Sequence, residues 1–502
     1  MTSKIGASST TTQNWSELDW TKIEKSVLRL QMRIAKAKRK KRFGKVKALQ
    51  WLLTHSYEAK LLAVRRVTSS KGAKTAGVDG KLYKSDNQKL QLTMSLKQRG
   101  YKAKPLKRVY IPKSNGKKRP LGIPTLFDRS MQALYLLALE PISEMNADPN
   151  SYGFRPNRSA ADAIERAFIV LCGRGSAQWI LEGDIKACFD CISHDWLLNN
   201  VLVDKRILSQ WLKAGYVEKQ TLFPTPEGTP QGGIISPVLA NLALDGLEGA
   251  IKLAVKGKAS HRLHMIRYAD DFIVTGSSQE ILEHNIKPAI VKFLEERGLT
   301  LSEEKTSITH IDSGFDFLGF NIRKYKGKLL IKPAKKSIKS LLDKVREVIK
   351  RNKASTAYEL IGQLNLKIKG WAYYYRHVVA KQTFAYIDDC IYRLISQWTR
   401  RRHNNKNMTW IRKKYFHRKG KFNWIFFGTY IKANGEKDEN NLVKASTILT
   451  IRHPKIKQKA RLYDPKYTKY FAKRKQNKKD KLFHYHQVSK LGLFDETNWL
   501  PT

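Results

Sequence analysis

Four residues, Tyr268-Ala269-Asp270-Asp271, constrain this chain more than any other segment. They lie between two β-branched and aromatic runs, Leu263–Arg267 and Phe272–Thr275, which read as the strands of a tight hairpin. The turn then carries two adjacent carboxylates, which repel each other unless a cation neutralises them. Oxygen-only ligands suit Mg²⁺, which keeps waters and binds substrate phosphates. A third carboxylate, Asp184, follows the apolar strand Trp179–Gly183. Side by side in one sheet, Asp184 and Asp270 are suited to hold two metal ions that clamp the attacking and leaving oxygens of an in-line phosphoryl displacement. An acidic doublet alone is weak evidence. Asp388-Asp389 lies in a helical stripe with no strand on either side and reads as a solvated helix face.

Other segments match the needs of that chemistry. Lys113, Lys117, Lys118 and Arg119 surround a turn, Ser114-Asn115-Gly116-Lys117, after the strand Arg108–Ile111. They are expected to grip a triphosphate by charge and bidentate hydrogen bonds; alone, such a loop is as often plain surface charge. Pro230-Gln231-Gly232-Gly233 precedes a helix over Val238–Leu247, letting backbone approach a nucleotide with Gln231 beside it. Phe189, five residues after Asp184, is placed to exclude a ribose 2′-OH; without Asp184 it would read as a core aromatic. Lys305 follows Leu299-Thr300-Leu301-Ser302 and is placed to donate to a leaving pyrophosphate; alone it would be a surface lysine. Cys188-Phe189-Asp190-Cys191, with His194 near, has the spacing of half a zinc site. No second such pair exists in the sequence, so zinc is disfavoured.

Charge points the same way. The chain has 95 Lys+Arg against 43 Asp+Glu, a formal net charge of +52 over 502 residues, so a polyphosphate partner is the first expectation. A 41% hydrophobic share, with 11 Trp, 21 Tyr and 19 Phe, excludes a simple basic tail and points to several folded domains. Four cysteines are too few for a disulfide framework and fit a reducing compartment. No apolar run suggests a membrane span, and the Ser/Thr-rich start lacks a signal core. The cytoplasm, of a bacterium or with an organelle as the alternative, is the expected location.

The basic residues cluster. Ile23, Val27, Leu30 and Ile34 recur at helical spacing, followed by Lys36, Lys38, Arg39, Lys40, Lys41 and Arg42, an amphipathic helix with a basic end suited to RNA phosphates. One further helical stretch carries Leu49 to Val64. Residues 105–330 alternate strand-like and helix-like segments, including a helix over Ile281–Gly298 and a strand over Phe315–Ile322. From 337 the pattern is helical, with stripes Ile338, Leu341, Leu342, Val345, Ile349 and Phe384, Ile387, Ile391, Leu394, Trp398. Residues 410–490 are basic and aromatic.

The ordered set of segments resembles the reverse transcriptases, and most closely the reverse transcriptase/maturases encoded by group II introns. The matching blocks are Arg108–Lys113 with Arg119–Pro124, Tyr152–Pro156, Gly183–Ile185 through Phe189-Asp190, Gly228–Gly233 with Ser236-Pro237, Tyr268–Asp271, Leu301–Lys305 and Phe317–Phe320. The resemblance implies an α+β right-hand polymerase with fingers, palm and a helical thumb, plus a basic DNA-binding region. It divides the chain into a basic N-terminal extension (1–104), fingers and palm (105–328), a thumb with maturase function (329–408) and a DNA-binding region and tail (409–502). It implies catalysis by Asp184, Asp270 and Asp271, two Mg²⁺ ions at Asp184, Ile185, Asp270 and Asp271, and a nucleotide site of Lys113, Arg119, Phe189, Gln231 and Lys305. DNA contact is implied for Lys413, Lys414, Arg452, Lys455 and Lys457. Implied partners are group II intron RNA, target DNA and deoxynucleoside triphosphates. Many relatives continue past a Tyr-Asp-Pro segment, here Tyr463-Asp464-Pro465, into an HNH nuclease with Cys pairs. This sequence has no Cys after Cys390, so second-strand cleavage is not expected of it. The alternatives are a reverse transcriptase of retron or diversity-generating type, and a splicing-only RNA-binding maturase.

Overall fold

The computed structural model describes residues 14–112, 116, 118–255, 261–420 and 422–477. They form two compact units, each discontinuous in sequence. The first comprises Met1–Ala163, Leu181–Ile308 and Ile456–Phe471. Its helical layer packs Trp20–Arg39, Phe43–His55 and Tyr57–Thr68 on the long helix Leu126–Asn146. Ile23, Val27 and Ile34 face inward at the expected spacing, and Asp19 caps the first helix by accepting from the Lys22 amide at 3.0 Å. The stretch Leu49–Val64 is two helices instead of one. Ser56 interrupts it and caps the second by accepting from the Ala59 amide.

Two sheets complete this unit. β1 (Leu106–Pro112) and β2 (Lys118–Ile123) form a hairpin, and β3 (Trp179–Gly183) follows. β4 (Tyr216–Glu218) pairs parallel with β1, and β5 (Thr221–Phe223) closes that sheet in the order β2-β1-β4-β5. β6 (His264–Tyr268), β7 (Asp271–Gly276) and β8 (Ser307–His310) join β3 in a sheet of order β6-β7-β3-β8. The boundary between the units passes through β3 and β8.

Two expected helices are divided. Val238–Leu247 ends early: the helix is Ser236–Leu244, broken at Asp245 and at Gly246, whose φ of 100° only glycine tolerates easily. Ile281–Gly298 opens as a π-turn, Ile281–Ile286, before the α-helix Lys287–Glu295. Pro288 has no N–H for the preceding turn, which accounts for the wider register.

The segment Ile456–Phe471 returns to the first unit as a strap. The Ile456 amide donates to Asp162 Oδ1 at 2.7 Å, and Gln458 Nε2 to Asn150 Oδ1 at 2.6 Å. Arg158 donates to the carbonyls of Gln458 and Ala460. The Tyr463 hydroxyl bonds Glu140, and Asp464 pairs with Arg39 at 3.0 Å.

The second unit comprises Ile164–Ile180, Thr309–Lys455 and Ala472–Thr502. The expected strand Phe315–Ile322 is instead a hairpin of β9 (Phe315–Phe317) and β10 (Phe320–Tyr325), continued by β11 (Lys328–Pro333). Leu318 and Gly319 form its two-residue turn, both left-handed, and the glycine makes that turn accessible. Three helices follow, Lys335–Arg351, Ala357–Tyr375 and Lys381–Arg402, with the centres of the apolar stripes buried and Ile338, Ile349 and Leu394 half-buried. The basic-aromatic region holds the helix Met408–Tyr415 and a sheet of β12 (Phe416–Lys419), β13 (Phe422–Ile431) and β14 (Lys437–Asn441), in that order. Among the described residues no helix is long and apolar enough to cross a membrane.

Candidate active site

The site is assembled in the first unit around the β6–β7 hairpin. Tyr268 pairs with Asp271, leaving Ala269 and Asp270 as a two-residue turn. Ala269 is left-handed, at φ 59°, a conformation that costs a residue with a Cβ about 1–2 kcal/mol. The turn is held from outside. Gly153 lies so close that a Cβ there would sit 2.3 Å from the Ala269 amide nitrogen. The Tyr152 amide donates to the Arg267 carbonyl at 2.9 Å, and the Arg267 amide to the Asn150 carbonyl at 3.0 Å. Any side chain at 153 would push the acidic turn away.

Arg267, which the sequence reading passed over, is the buried post of the hairpin. It donates to Asn241 Oδ1 at 3.1 Å, to the Ala269 carbonyl at 3.3 Å and to Asp245 Oδ1 at 2.5 Å. Burial pushes the Asp245 carboxyl up to about 6, and Arg267 offsets part of that. Asn241 in turn donates to the Gly153 carbonyl at 2.9 Å. The legible signal was a charged residue inside the apolar run Met265-Ile266-Arg267. Arg155 is a second buried post, with Glu144 at 2.7 Å.

Asp184 leaves β3 beside this turn. Gly183 packs against the tip of the Phe272 ring, where a Cβ would lie 2.2 Å from Cζ. Beyond it the chain zips to the segment carrying Lys305. Ile185 bridges Leu301, the Lys186 amide donates to the Thr300 carbonyl, and the Ser302 amide to the Asp184 carbonyl at 2.8 Å. Lys305 Nζ donates to Asp184 Oδ2 at 2.7 Å. That hydrogen bond is the main reason its ammonium is held above its ordinary pKa.

The three carboxylates share one electrostatic environment. Burial raises the Asp270 carboxyl and Asp184 raises it further, while a backbone hydrogen bond, Arg119 and Lys305 pull it back. Asp271 reaches solvent, yet surrounding protein displaces much of its water. Burial first, then Asp270 and Asp184, push it up to about 6. Among the described residues no three His, Cys, Asp or Glu side chains converge closely enough to hold an ion as they stand. One Asp184 oxygen is engaged by Lys305. Mutual repulsion that Lys305, Arg119 and a backbone hydrogen bond offset only in part, in an oxygen-only donor set, nevertheless fits a hard divalent cation.

The described residues expected at the nucleotide lie on the same unit. Ala187, left-handed at φ 46°, turns the chain into the short helix Cys188–Cys191. It leaves Phe189 half-buried, edge-on to the exposed Phe154 at 6.2 Å. Gln231 Nε2 donates to Asp190 Oδ2 at 2.8 Å, and the Gln231 carbonyl accepts from the Gly122 amide of β2 at 2.8 Å. Arg119, opposite Ile111 in β2, is exposed and near enough to act on Asp270. Lys113 and Lys117 lie outside the described residues. Burial pushes the Cys188 thiol up to about 12, and the His194 ring meets the Gly228 carbonyl at 2.8 Å, so neither is poised as a zinc ligand.

The basic groups divide by role. Lys36, Lys40, Lys41 and Arg42 are exposed. Lys38 is half-buried, its Nζ 4.9 Å from the Phe43 ring centroid, and Arg39 is taken by Asp464. Lys413 and Lys414 are exposed on the helix Met408–Tyr415. Arg452 lies 3.6 Å from Glu165, and Lys455 is half-buried. Lys457 is on the strap, its Nζ 5.2 Å from the Tyr470 ring centroid. Asp388, expected on a solvated face, is instead largely buried. It accepts from the Ala445 amide at 2.7 Å and from the Ser446 amide and hydroxyl at 3.0 and 2.5 Å. Only Asp389 is a solvated ion-pair partner, with Arg393 at 2.9 Å.

This arrangement of acids, cations and glycine turns defines the class. Residues 111–322 match the family model "Reverse transcriptase (RNA-dependent DNA polymerase)", and residues 15–96 match "N-terminal domain of reverse transcriptase". Residues 338–416 match "Group II intron, maturase-specific domain". The chain is 34% identical to protein YkfC of Escherichia coli over 303 residues, covering 52% of this chain and 79% of that protein. It is 34% identical to the group II intron-encoded protein LtrA of Lactococcus lactis, covering 57% of this chain and 60% of LtrA. It is 30% identical to an uncharacterised 91 kDa protein in the cob intron of Schizosaccharomyces pombe, covering 61% and 48%. The chain belongs to the group II intron-encoded reverse transcriptase/maturases, and its fold class is that of the right-hand polymerases.

Proposed function

We propose that this chain is an RNA-directed DNA polymerase that also binds group II intron RNA as a maturase, assisting its splicing and copying it into DNA at a target site. The observation that carries the reading is that Asp184, at the end of β3, lies beside Asp270 and Asp271 of the braced β6–β7 hairpin, close enough for the three to act on one another. Asp184, Asp270, Asp271 and the Ile185 carbonyl would hold two Mg²⁺ ions, which supply charge neutralisation for in-line phosphoryl transfer. Lys305, leaving Asp184, would donate to the pyrophosphate. Arg119, with Lys113, would orient the triphosphate. Gln231 would contact the nucleotide from the Gly-rich turn, and Phe189 would exclude a ribose 2′-OH. Lys36, Lys40, Lys41 and Arg42 would contact intron RNA phosphates, and Lys413, Lys414, Arg452, Lys455 and Lys457 target DNA.

The test is a two-by-two comparison of primer extension on an RNA template and splicing at low Mg²⁺. Asp270→Ala is expected to lose extension by at least about 10³-fold while retaining RNA binding and splicing. Lys40→Gln with Lys41→Gln and Arg42→Gln, leaving Arg39 on its Asp464, is expected to show the reverse. Parallel loss of both activities in two folded variants contradicts separable surfaces. A wild type that splices but never extends selects the splicing-only reading. In the same extension assay Phe189→Val should raise ribonucleotide incorporation relative to deoxynucleotide; an unchanged ratio makes Phe189 a packing residue.

A further inference from the structure

A pocket of about 340 Å³ opens in the second unit, between the helix Lys381–Arg402, the β12–β13 pair and residues 442–446. It is at the small end of ligand sites. Its walls are aromatic: Tyr392, Phe416, Trp424 and Phe426 line it. Trp424 is the anomaly. It is 48% exposed, and its backbone is left-handed at φ 58°. That conformation strains any residue with a Cβ, and a bulky ring has no local reason to occupy it.

The strand register explains how it arises. Phe416 pairs with Phe426 and His417 with Ile425, but Lys419 pairs with Phe422, so Asn423 and Trp424 together oppose Arg418. This is a β-bulge, a device that re-aims a side chain, and a left-handed bulge position is ordinarily filled by glycine. Here it carries an indole that lines the pocket mouth. The rim is cationic. The Arg412 guanidinium lies 4.9 Å from the Trp424 ring centroid, and Lys444 Nζ donates to the Asn423 carbonyl at 3.1 Å. Lys413, Lys414, Arg418 and Lys419 are exposed on the adjoining helix and strand. Asp388 and Asp389 also line the pocket, the first already bonded by the Ala445 and Ser446 amides and the second paired with Arg393, so the free cations lie at the rim.

We propose that this pocket receives one unstacked nucleobase of a single-stranded RNA or DNA, which stacks on Trp424 while the flanking phosphates lie along Arg412, Lys413 and Lys444. An aromatic wall and a cationic rim match a base with phosphates on either side, because every base offers a π-face. The inference rests on the reading that the chain handles nucleic acid strands. It adds a site outside the polymerase centre.

The test uses the full chain and fluorescently labelled single strands of twelve nucleotides, as RNA, as DNA and as a wholly abasic sugar-phosphate strand, over a range of salt. Trp424→Gly removes the ring and relieves the backbone strain together, so its melting temperature should not fall. It should bind base-bearing RNA or DNA about 5- to 100-fold more weakly, with the slope of log affinity against log salt unchanged. The abasic strand should bind wild type and variant alike. Arg412→Gln should lower the salt slope by about 1. Loss on RNA alone or DNA alone names the strand that uses the pocket. An unchanged affinity for both, or an equal loss on the abasic strand, overturns the proposal while leaving the polymerase reading intact. Competition by an aromatic peptide with no effect of Trp424→Gly on strands would likewise overturn it. A wild type that binds no strand in a salt-dependent way overturns both.

Discussion

The chain holds two Asp-Asp doublets whose fates differ completely. Asp388-Asp389 sits on a helix, where consecutive side chains point about 100° apart. One turns inward and is satisfied by the amides of Ala445 and Ser446, and the other turns outward to Arg393. Asp270-Asp271 sits where a turn meets a strand, facing a third acid from a neighbouring strand. Burial and mutual repulsion raise both carboxyls; a backbone hydrogen bond, Arg119 and Lys305 offset part of this at Asp270, and Lys305 alone does so at Asp271. The same dipeptide is satisfied by protein donors and Arg393 on the helix and only in part at the hairpin, where we propose that a cation completes it. The secondary structure around the pair decides which.

The comparison is broken most severely by exchanging the roles. Asp271→Ala should reduce Mg²⁺-dependent extension by at least about 10³-fold, and Asp389→Ala should leave it within about twofold. Comparable rates for the two variants would mean that the doublets are equivalent. Asp388→Ala should act on stability. It orphans two amides, at about 1–3 kcal/mol, seen as a fall in melting temperature of about 3–10 °C. Asp389→Ala should stay within about 0.5 kcal/mol of wild type.

The smallest effect is electrostatic. Asp271 titrates near 6 in the folded chain against 3.8 ordinarily, so its ionisation opposes folding. The penalty is absent below about pH 4, grows as pH rises through 6 and persists above it. Asp271→Asn should therefore be more stable than the metal-free wild type above pH 6, by on the order of 1 kcal/mol after screening by water, and equal to it near pH 4. Added Mg²⁺ should stabilise the wild type and close the gap. A gap independent of pH would assign the effect to packing.

What was legible follows from how local the determinants are. The β6–β7 hairpin could be read because its two runs and its turn are contiguous, as are the thumb stripes. The turn at Leu318-Gly319 was missed because the surrounding apolar residues read as one continuous strand, although the glycine marked the break. The β12–β14 sheet was missed because lysine and arginine between Trp410 and Lys419 drew attention to charge, while Ile425-Phe426-Phe427 carried the strand signal. Asp388 was misassigned because its donors come from a loop more than fifty residues away. The strap was invisible for the same reason: Gln458 meets Asn150 across 308 positions, and periodicity does not encode such a contact.

The most direct test of the account counts ions. Mn²⁺, replacing Mg²⁺ as a paramagnetic probe, can be titrated into the full chain with a dideoxy-terminated primer, an RNA template and the next nucleotide, and the bound fraction read by electron paramagnetic resonance. The account predicts two tightly bound ions in the wild type and in Asp389→Ala, and loss of at least one in Asp270→Ala. Equal occupancy in all three proteins would contradict the claim that the hairpin doublet, and not merely an acidic pair, is the metal site.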